Sequence, residues 1–335
     1  EGRSLTVSSA GASVRKEGEA LVIVPPPWME GARPQRVALE QVDALSLWGN
    51  VQASTQTLMA CLEYGIPVSL HAATGRLLGC VSTGLGNNVQ LRMRQHAAAS
   101  DPDAALDLAR AFVRGKLRNQ RVFLRRHGAL DADAANQWAS LLAGIDEAPE
   151  ANALRGIEGR AAALYFPRLS ALLEARGGEA FRLDGRSRRP PRDPSNAMLS
   201  FGYAVLAREC AEVLRRVGFD PMRGFLHGVG WGRPALALDL MEEFRTLVVD
   251  STVLRVVAER RVSADDFHQE LQGVAMKPGA RKALLQALDQ RREEEITHPV
   301  FGYKVSYRRA LELQARVLAR VLDGEAARYV ALTTR

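Results

Sequence analysis

Little in this chain would cross-link it, anchor it or stack it on bases. Among 335 residues there are three cysteines, Cys61, Cys80 and Cys210, far apart and odd in number. No CxxC pair exists, which excludes a zinc ribbon or an iron–sulfur framework in this sequence. A reducing cytoplasm is the expected location. No run approaches the ~20 apolar residues that span a bilayer, and Leu21–Pro27 closes on three prolines. Neither a basic, apolar, small-residue signal peptide nor a membrane partner is expected. Aromatic residues make up 6%, which argues against stacking as the main way of holding bases. Glu1 is not a natural start residue, so the sequence is expected to be processed, trimmed or cut from a longer polypeptide.

What is present is ordinary for a globular protein, with 47% apolar and 25% charged residues. The length exceeds the usual size of one core, so two domains are expected. Net charge is +7, unevenly spread. Residues 1–85 hold 6 Lys/Arg against 7 Asp/Glu, and the remainder holds 39 against 31. The basic character therefore lies in the C-terminal three quarters, which suits a polyanion partner. Arginine-rich composition alone is the plainer alternative.

Local patterns agree with that division. Leu5–Val7, Leu21–Val24 and Ala44–Trp48 read as strands, with a turn at Lys16-Glu17-Gly18-Glu19. Ser54 caps a helix that runs to Tyr64 and stops at Gly65. Ile66–Leu70 and Arg76–Val81 flank Ala72-Ala73-Thr74-Gly75 as a hairpin. Gly84-Leu85-Gly86-Asn87-Asn88 marks the boundary, after which the periodicity turns helical. The reading is α+β: a small β-rich N-terminal domain, 1–85, then a larger all-α-helical C-terminal domain, 86–335. Asp101-Pro102-Asp103 opens a long helix with Leu106, Ala109, Val113, Leu117 and Leu124 on one stripe. Arg114, Arg118, Arg121 and Arg125 form a basic ridge beside it, either a track for phosphates or a solvated face paired with acids of a neighbouring helix. Further helices are expected at Ala151–Ala175, Ser195–Val217, Ala235–Val257, Lys277–Ile296 and Tyr303–Leu322. Between them Arg186 to Arg192 carries four arginines, including Arg188 and Arg189, and reads as a mobile basic loop.

Three features carry chemistry. Glu158 sits at the edge of the stripe Leu154, Ile157, Ala161 and Leu164, beside Gly156 and Gly159, where other backbone could come close. A half-buried carboxylate there needs a cation or a hydrogen-bonding partner, unless it is exposed and paired with Arg155 or Arg160. His227 stands in Gly224-Phe225-Leu226-His227-Gly228-Val229-Gly230-Trp231-Gly232-Arg233-Pro234, a glycine-framed loop flanked by Arg223 and Arg233. Any one of six histidines is more often structural than catalytic. Asp239 and Glu242 follow three apart on one side of a helix, where they serve either the helix dipole or a divalent metal. Hard oxygen donors with one imidazole suit Mn²⁺ or Mg²⁺.

Taken in order, these residues resemble the CRISPR-associated protein one family, the metal-dependent integrase of spacer acquisition. The resemblance spans about 280 residues. It rests on Ser46-Leu47-Trp48-Gly49-Asn50-Val51-Gln52, Tyr64-Gly65-Ile66-Pro67-Val68, Gly75-Arg76-Leu77-Leu78-Gly79, Lys116-Leu117-Arg118-Asn119-Gln120 and Gly156-Ile157-Glu158-Gly159. It continues through Asp193-Pro194-Ser195-Asn196-Ala197-Met198-Leu199-Ser200-Phe201-Gly202-Tyr203, Gly224-Phe225-Leu226-His227-Gly228, Leu238-Asp239-Leu240-Met241-Glu242-Glu243-Phe244-Arg245, Val305-Ser306-Tyr307-Arg308-Arg309 and Gln314-Ala315-Arg316. The resemblance implies one Mn²⁺ or Mg²⁺ held by Glu158, His227 and Glu242, with Asp239 in support; some members carry aspartate where Glu242 stands. It implies a dimerising N-terminal domain and a catalytic, DNA-binding helical domain. It further implies joining of 3′-hydroxyl ends of foreign DNA fragments into the CRISPR repeat by transesterification. The implied partners are double-stranded DNA (prespacer and repeat), a second copy of the chain, CRISPR-associated protein two, and CRISPR-associated protein four, fused or separate. For DNA contact the expected residues are Arg114, Arg118, Arg121, Arg125, Arg186, Arg188, Arg189, Arg223 and Arg233. Two alternatives are a non-catalytic DNA-binding scaffold of the same fold and a helical enzyme using Asp239 and Glu242 to hold a diphosphate through Mg²⁺.

Overall fold

The computed structural model describes residues 3–73, 77–82, 88–187, 190–270 and 273–334. The chain divides into two compact units, Glu1–Leu85 and Gly86–Arg335. A β-rich N-terminal region is followed by a helical C-terminal region. No helix of the described residues is long and apolar enough to cross a membrane.

Among its described residues the first unit has eight strands: β1 (Arg3–Val7), β2 (Ser13–Glu17), β3 (Ala20–Val24), β4 (Gln35–Ala38), β5 (Val42–Trp48), β6 (Gln52–Ala53), β7 (Val68–His71) and β8 (Leu77–Val81). One helix, α1 (Thr55–Glu63), lies between β6 and β7. One sheet runs β1-β5-β7-β8, parallel except for the last pair; the other runs β4-β3-β2-β6. The β2–β3 turn closes through Gly18 at φ +60°, a conformation that disfavours a side chain. Ser54 caps α1 by accepting the Thr57 amide proton at 3.2 Å. Val14, Leu21, Leu45 and Val68 of the strands meet Ala60 and Cys61 of α1 in one core. The tip of the β7–β8 hairpin and most of the Gly84–Asn88 boundary lie outside the described residues.

The second unit is built from α2 (Val89–Ser100), α3 (Pro102–Arg126), α4 (Ala132–Glu147), α5 (Ala151–Gly177), α6 (Pro194–Val217), α7 (Ala235–Phe244), α8 (Ser251–Ala258), α9 (Pro278–Glu293) and α10 (Tyr307–Leu322). Side-chain caps start many of them: Asn88, Asp101, Asp131, Asp193 and Ser306 each accept a first-turn amide proton. The helix expected over Ala235–Val257 is present, but Arg245–Asp250 widens into a π turn between α7 and α8. Helix α4 was not anticipated. Ile296 and Tyr303, expected to be helical, lie elsewhere. Ile296 falls in β11 (Glu295–Thr297), paired with β12 (Lys304–Ser306), and Tyr303 precedes that strand. A second ladder joins β9 (Phe267–Glu270) to β10 (Gly273–Met276).

At the centre lies α3, against α2, α4, α5, α7 and the π turn. Its stripe Ala109, Val113, Leu117 and Leu124 has no solvent exposure. The Asp193–Tyr203 segment secures the preceding loop. The side chain of Asn196 accepts from the Arg186 guanidinium at 2.6 Å and donates to Gly185 O at 2.8 Å. Arg186 also donates to Ser200 Oγ at 3.1 Å and lies 5.4 Å from the centre of the Tyr203 ring. The loop read as mobile and basic is thus held to α6 by its first arginine. Arg188 and Arg189 lie outside the described residues. The C-terminal segment docks on Glu243, which is fully buried beside Glu242. Glu243 accepts from Tyr329 Oη at 2.5 Å, Gln314 Nε2 at 2.7 Å and the Leu332 amide at 2.6 Å. Asn119 clasps the same place, donating to Glu243 O and Leu332 O, each at 2.8 Å.

Two outcomes follow from this packing. A Cβ on Gly202 would stand 2.6 Å from Val249 Cγ1 of the π turn. Gly202→Ala should cost about 1–3 kcal/mol in denaturant unfolding, with part recovered by adding Val249→Ala. Burial pushes the Glu243 carboxyl up to about 7, although the hydrogen bonds from Tyr329, Leu332 and Gln314 oppose it. The folded state therefore keeps a proton that the unfolded chain releases from about pH 4.5 upward. Wild-type stability measured against Glu243→Gln should fall as pH rises from about 4.5 to 7 and then level off. A constant difference across that range would contradict the assignment.

Candidate active site

Three helices bring the chemistry together. Lys116 projects from α3, Glu158 from α5 and Glu242 from α7, and α3 packs on both of the others. The side chain of Glu242 has 0% exposure. Lys116 Nζ lies 2.8 Å from its Oε2 and also contacts Glu158 Oε1. Arg245 Nη2 lies 2.8 Å from Glu242 Oε1, and His227 Nε2 lies 3.8 Å from the same oxygen. Neither Glu242 oxygen accepts a well-directed hydrogen bond, so ion pairs alone hold this carboxylate. Burial works to raise its pKa, but the charges of Arg245 and Lys116, with His227 beside them, prevail and hold it below the usual carboxylate range.

The His227 loop is cinched by Asp239. Asp239 Oδ2 accepts the amide protons of Phe225 at 2.6 Å and Leu226 at 3.0 Å, and Oδ1 accepts that of His227 at 2.9 Å. Oδ1 also lies 2.6 Å from His227 Nδ1. With a carboxylate accepting there, Nδ1 carries the proton, and Nε2 is left facing Glu242. The loop can close this tightly because residue 224 is glycine; a Cβ would meet Asp239 Oδ2 at 2.6 Å and Ala235 C at 2.8 Å. Asp239 is wholly buried and committed to the loop, so it does not form a diphosphate-holding pair with Glu242. Nor does either acid sit in the first turn of α7, which removes the helix-dipole explanation.

The structure therefore gathers Glu158, His227, Asp239 and Glu242 in one place. Glu158 pairs with Lys116 rather than with Arg155 or Arg160. Gly156 and Gly159 do not admit close backbone, since a Cβ on either would meet nothing within 4 Å. Two carboxylates and a turned imidazole suit a hard divalent ion in kind. As arranged, however, the carboxylates close on an ammonium. Among the described residues no group of three or more His, Cys, Asp and Glu side chains is set to hold an ion.

The arginines divide. Arg114 is paired with Asp146 of α4 at 2.5 Å, the neighbouring-helix pairing considered for the ridge. Arg118 and Arg125 are exposed and Arg121 is half-buried. A two-residue step turns a helix roughly 200°, so Arg114 and Arg118 face away from Lys116 across α3. The ridge does not border the carboxylates. Arg223 donates to Ala99 O at 2.8 Å and Ser100 Oγ at 3.0 Å, pinning the approach to the His227 loop. Gln95, fully buried, holds the same stretch through Asp220 and Arg223 O. Arg233 is exposed.

Lys116, Arg245 and Trp231 did not stand out in the sequence as site residues. Lys116, Asn119 and Gln120 are polar residues on the buried side of an otherwise apolar helix, and that pattern was the available signal. Arg245 also lies 5.2 Å from the centre of the Tyr203 ring, which Arg186 approaches to 5.4 Å. Trp231, four residues after His227, is fully exposed, as is most of Val229.

The family model for CRISPR associated protein Cas1 matches residues 5–290. Over its whole length the chain is 41% identical to a CRISPR-associated exonuclease Cas4/endonuclease Cas1 fusion from Geobacter sulfurreducens, and it spans 61% of that protein. It is 40% identical, over 88% of the chain and 86% of the relative, to a CRISPR-associated endonuclease Cas1 from Thermus thermophilus. The fold matches a solved CAS1 protein from Thermotoga maritima with a TM-score of 0.81 at 22% identity, covering 99% of this chain and 100% of that one. On the extent of the matched model and the identity to these relatives, the chain belongs to the CRISPR-associated protein Cas1 family.

Proposed function

We propose that this chain is a metal-dependent DNA endonuclease and integrase of CRISPR adaptation. It joins the 3′-hydroxyl ends of foreign DNA fragments into the CRISPR repeat. The observation that carries this reading is the convergence of Glu158, His227 and Glu242, from three separate stretches of sequence, around the buried Glu242 carboxylate and the Lys116 ammonium. These three side chains would hold Mn²⁺ or Mg²⁺. The ion's contribution when bound is to polarise the scissile phosphoryl group and stabilise the departing oxygen.

The residues of the chain do the positioning. Asp239 fixes the imidazole so that Nε2 faces the site, and the backbone amides it binds keep the loop from drifting. Arg245 and Lys116 keep Glu242 ionised although it is buried. The nucleophile is the incoming 3′-hydroxyl, so no covalent protein intermediate is needed. One phosphodiester replaces another: the attacking hydroxyl loses its proton and the leaving 3′-oxygen gains one. Water in place of the hydroxyl gives nuclease activity.

The exposed rim of the His227 loop, with Val229, Trp231 and Arg233, is the proposed contact for DNA beside the reacting bond. Arg118, Arg121 and Arg125 serve the backbone of a duplex at a distance from the chemistry. The family assignment supports a second copy of the chain, CRISPR-associated protein two and CRISPR-associated protein four, fused or separate, as partners.

In a strand-transfer assay, Glu158→Ala, His227→Ala and Glu242→Ala should each lower the rate by at least about 100-fold while duplex binding, read by fluorescence anisotropy, stays within a few fold. Normal transfer by all three variants would falsify the assignment. If Trp231 stacks on a base, single-stranded ends should quench its fluorescence, and Trp231→Ala should weaken their binding about 5- to 100-fold. Equal binding by wild type and variant would remove Trp231 from the DNA surface.

A further inference from the structure

Lys116 pairs with both carboxylates of the site, Glu158 and Glu242. It is buried, on a helix face that it shares with Ala109, Val113, Asn119 and Gln120. Its ammonium stands between two carboxylates that come from different helices, Glu158 of α5 and Glu242 of α7. A buried ammonium is costly unless paired, and two carboxylates drawn to one point, Glu242 fully buried and Glu158 half-buried, repel each other unless a cation lies between them. Each side of this triad therefore needs the other. The ammonium occupies the place where a divalent ion would take the same two oxygens, and two cations cannot share that place. Lysine is suited to leaving it: its charge is compact and carried on a flexible four-carbon stem, unlike the planar fork of Arg245.

Resting on the metal-dependent reading above, we propose that Lys116 is a placeholder cation that holds Glu158 and Glu242 together until a divalent ion replaces it. Its displacement is coupled to the arrival of a DNA phosphate. When the ion enters, the displaced ammonium loses both of its partners. A phosphate oxygen is the anion that this reaction brings to the same spot, and it supplies the new partner. Ion binding is thus weak while the protein is free and strengthens when DNA is present, which restrains cleavage away from substrate. Lys116 is a positioning residue in this account, acting through the two carboxylates.

The test is direct Mn²⁺ binding, followed by electron paramagnetic resonance of the free ion, on the full chain with and without a duplex carrying a 3′-overhang. Wild type should bind Mn²⁺ weakly alone and at least about tenfold more tightly with DNA. Lys116→Met, which keeps the stem and removes the charge, should bind at least about tenfold more tightly than wild type without DNA, and DNA should add little. Lys116→Arg, which keeps the charge, should stay as weak as wild type. Lys116→Gln serves as a second neutral variant should the methionine variant fail to fold. Mn²⁺ affinity in the neutral variants equal to or below that of wild type overturns the inference. If that happens while Glu242→Gln abolishes binding, the metal site stands and only the placeholder role falls. If wild type and the neutral variants all bind Mn²⁺ and Glu242→Gln changes nothing, the metal-site reading itself fails.

Discussion

Glu242 is a carboxylate with no contact with water, and such a charge persists only where opposite charges are fixed around it. Arg245, at the start of the π turn that continues α7, supplies one of them, and Lys116 from α3 supplies the other. This requirement sets the arrangement of the second unit. Helix α7 is buried along almost its whole length, which encloses Glu242. Helix α3 must run beside it with a cation on its buried side, and α5 must present Glu158 to that same cation. A residue that breaks the triad leaves a buried charge without a partner, so the site and the stability of the core are one problem.

Much of the rest of the helical unit braces this point. Asp239 sits one turn before Glu242 and spends both oxygens on the loop that carries His227. Glu243, the next residue along, spends its own on the C-terminal segment. Three acidic residues within five positions of α7 thus have three separate tasks: one holds a loop, one faces the site and one holds a tail. On the far side, the Tyr203 hydroxyl donates to Asp250 at 2.5 Å while its ring stands beside Arg186 and Arg245. The π turn begins at Arg245 and packs against the bare backbone of Gly202.

Local signals made much of this fold legible in the sequence. Ser54, Asp101 and Asp193 are short polar side chains placed just before helical runs, and each caps a helix. Helix α4 escaped because alanines at 132, 134, 135, 139 and 143 blunt the contrast between its faces, although Trp138, Leu141 and Ile145 form a buried stripe. Strands β11 and β12 have three residues each, too few to show a period. Glu158, His227, Asp239 and Glu242 were found as an ordered set, and the structure brings them together. Lys116 does not stand out as a site residue, because its partners lie 42 and 126 positions away, and its place on the buried side of α3 does not reveal which groups it meets. The arginine ridge was legible as a face but not as to its surroundings: periodicity places Arg114, Arg118, Arg121 and Arg125 together and leaves open that Asp146 meets the first of them.

The most direct measurement of the central claim is anomalous diffraction from crystals of the full chain bound to DNA in Mn²⁺. The account places a single anomalous peak among Glu158, His227 and Glu242, with the Lys116 ammonium moved off the carboxylates toward a phosphate. A peak elsewhere, or Lys116 still bridging Glu158 and Glu242 beside bound DNA with no ion between them, would contradict it.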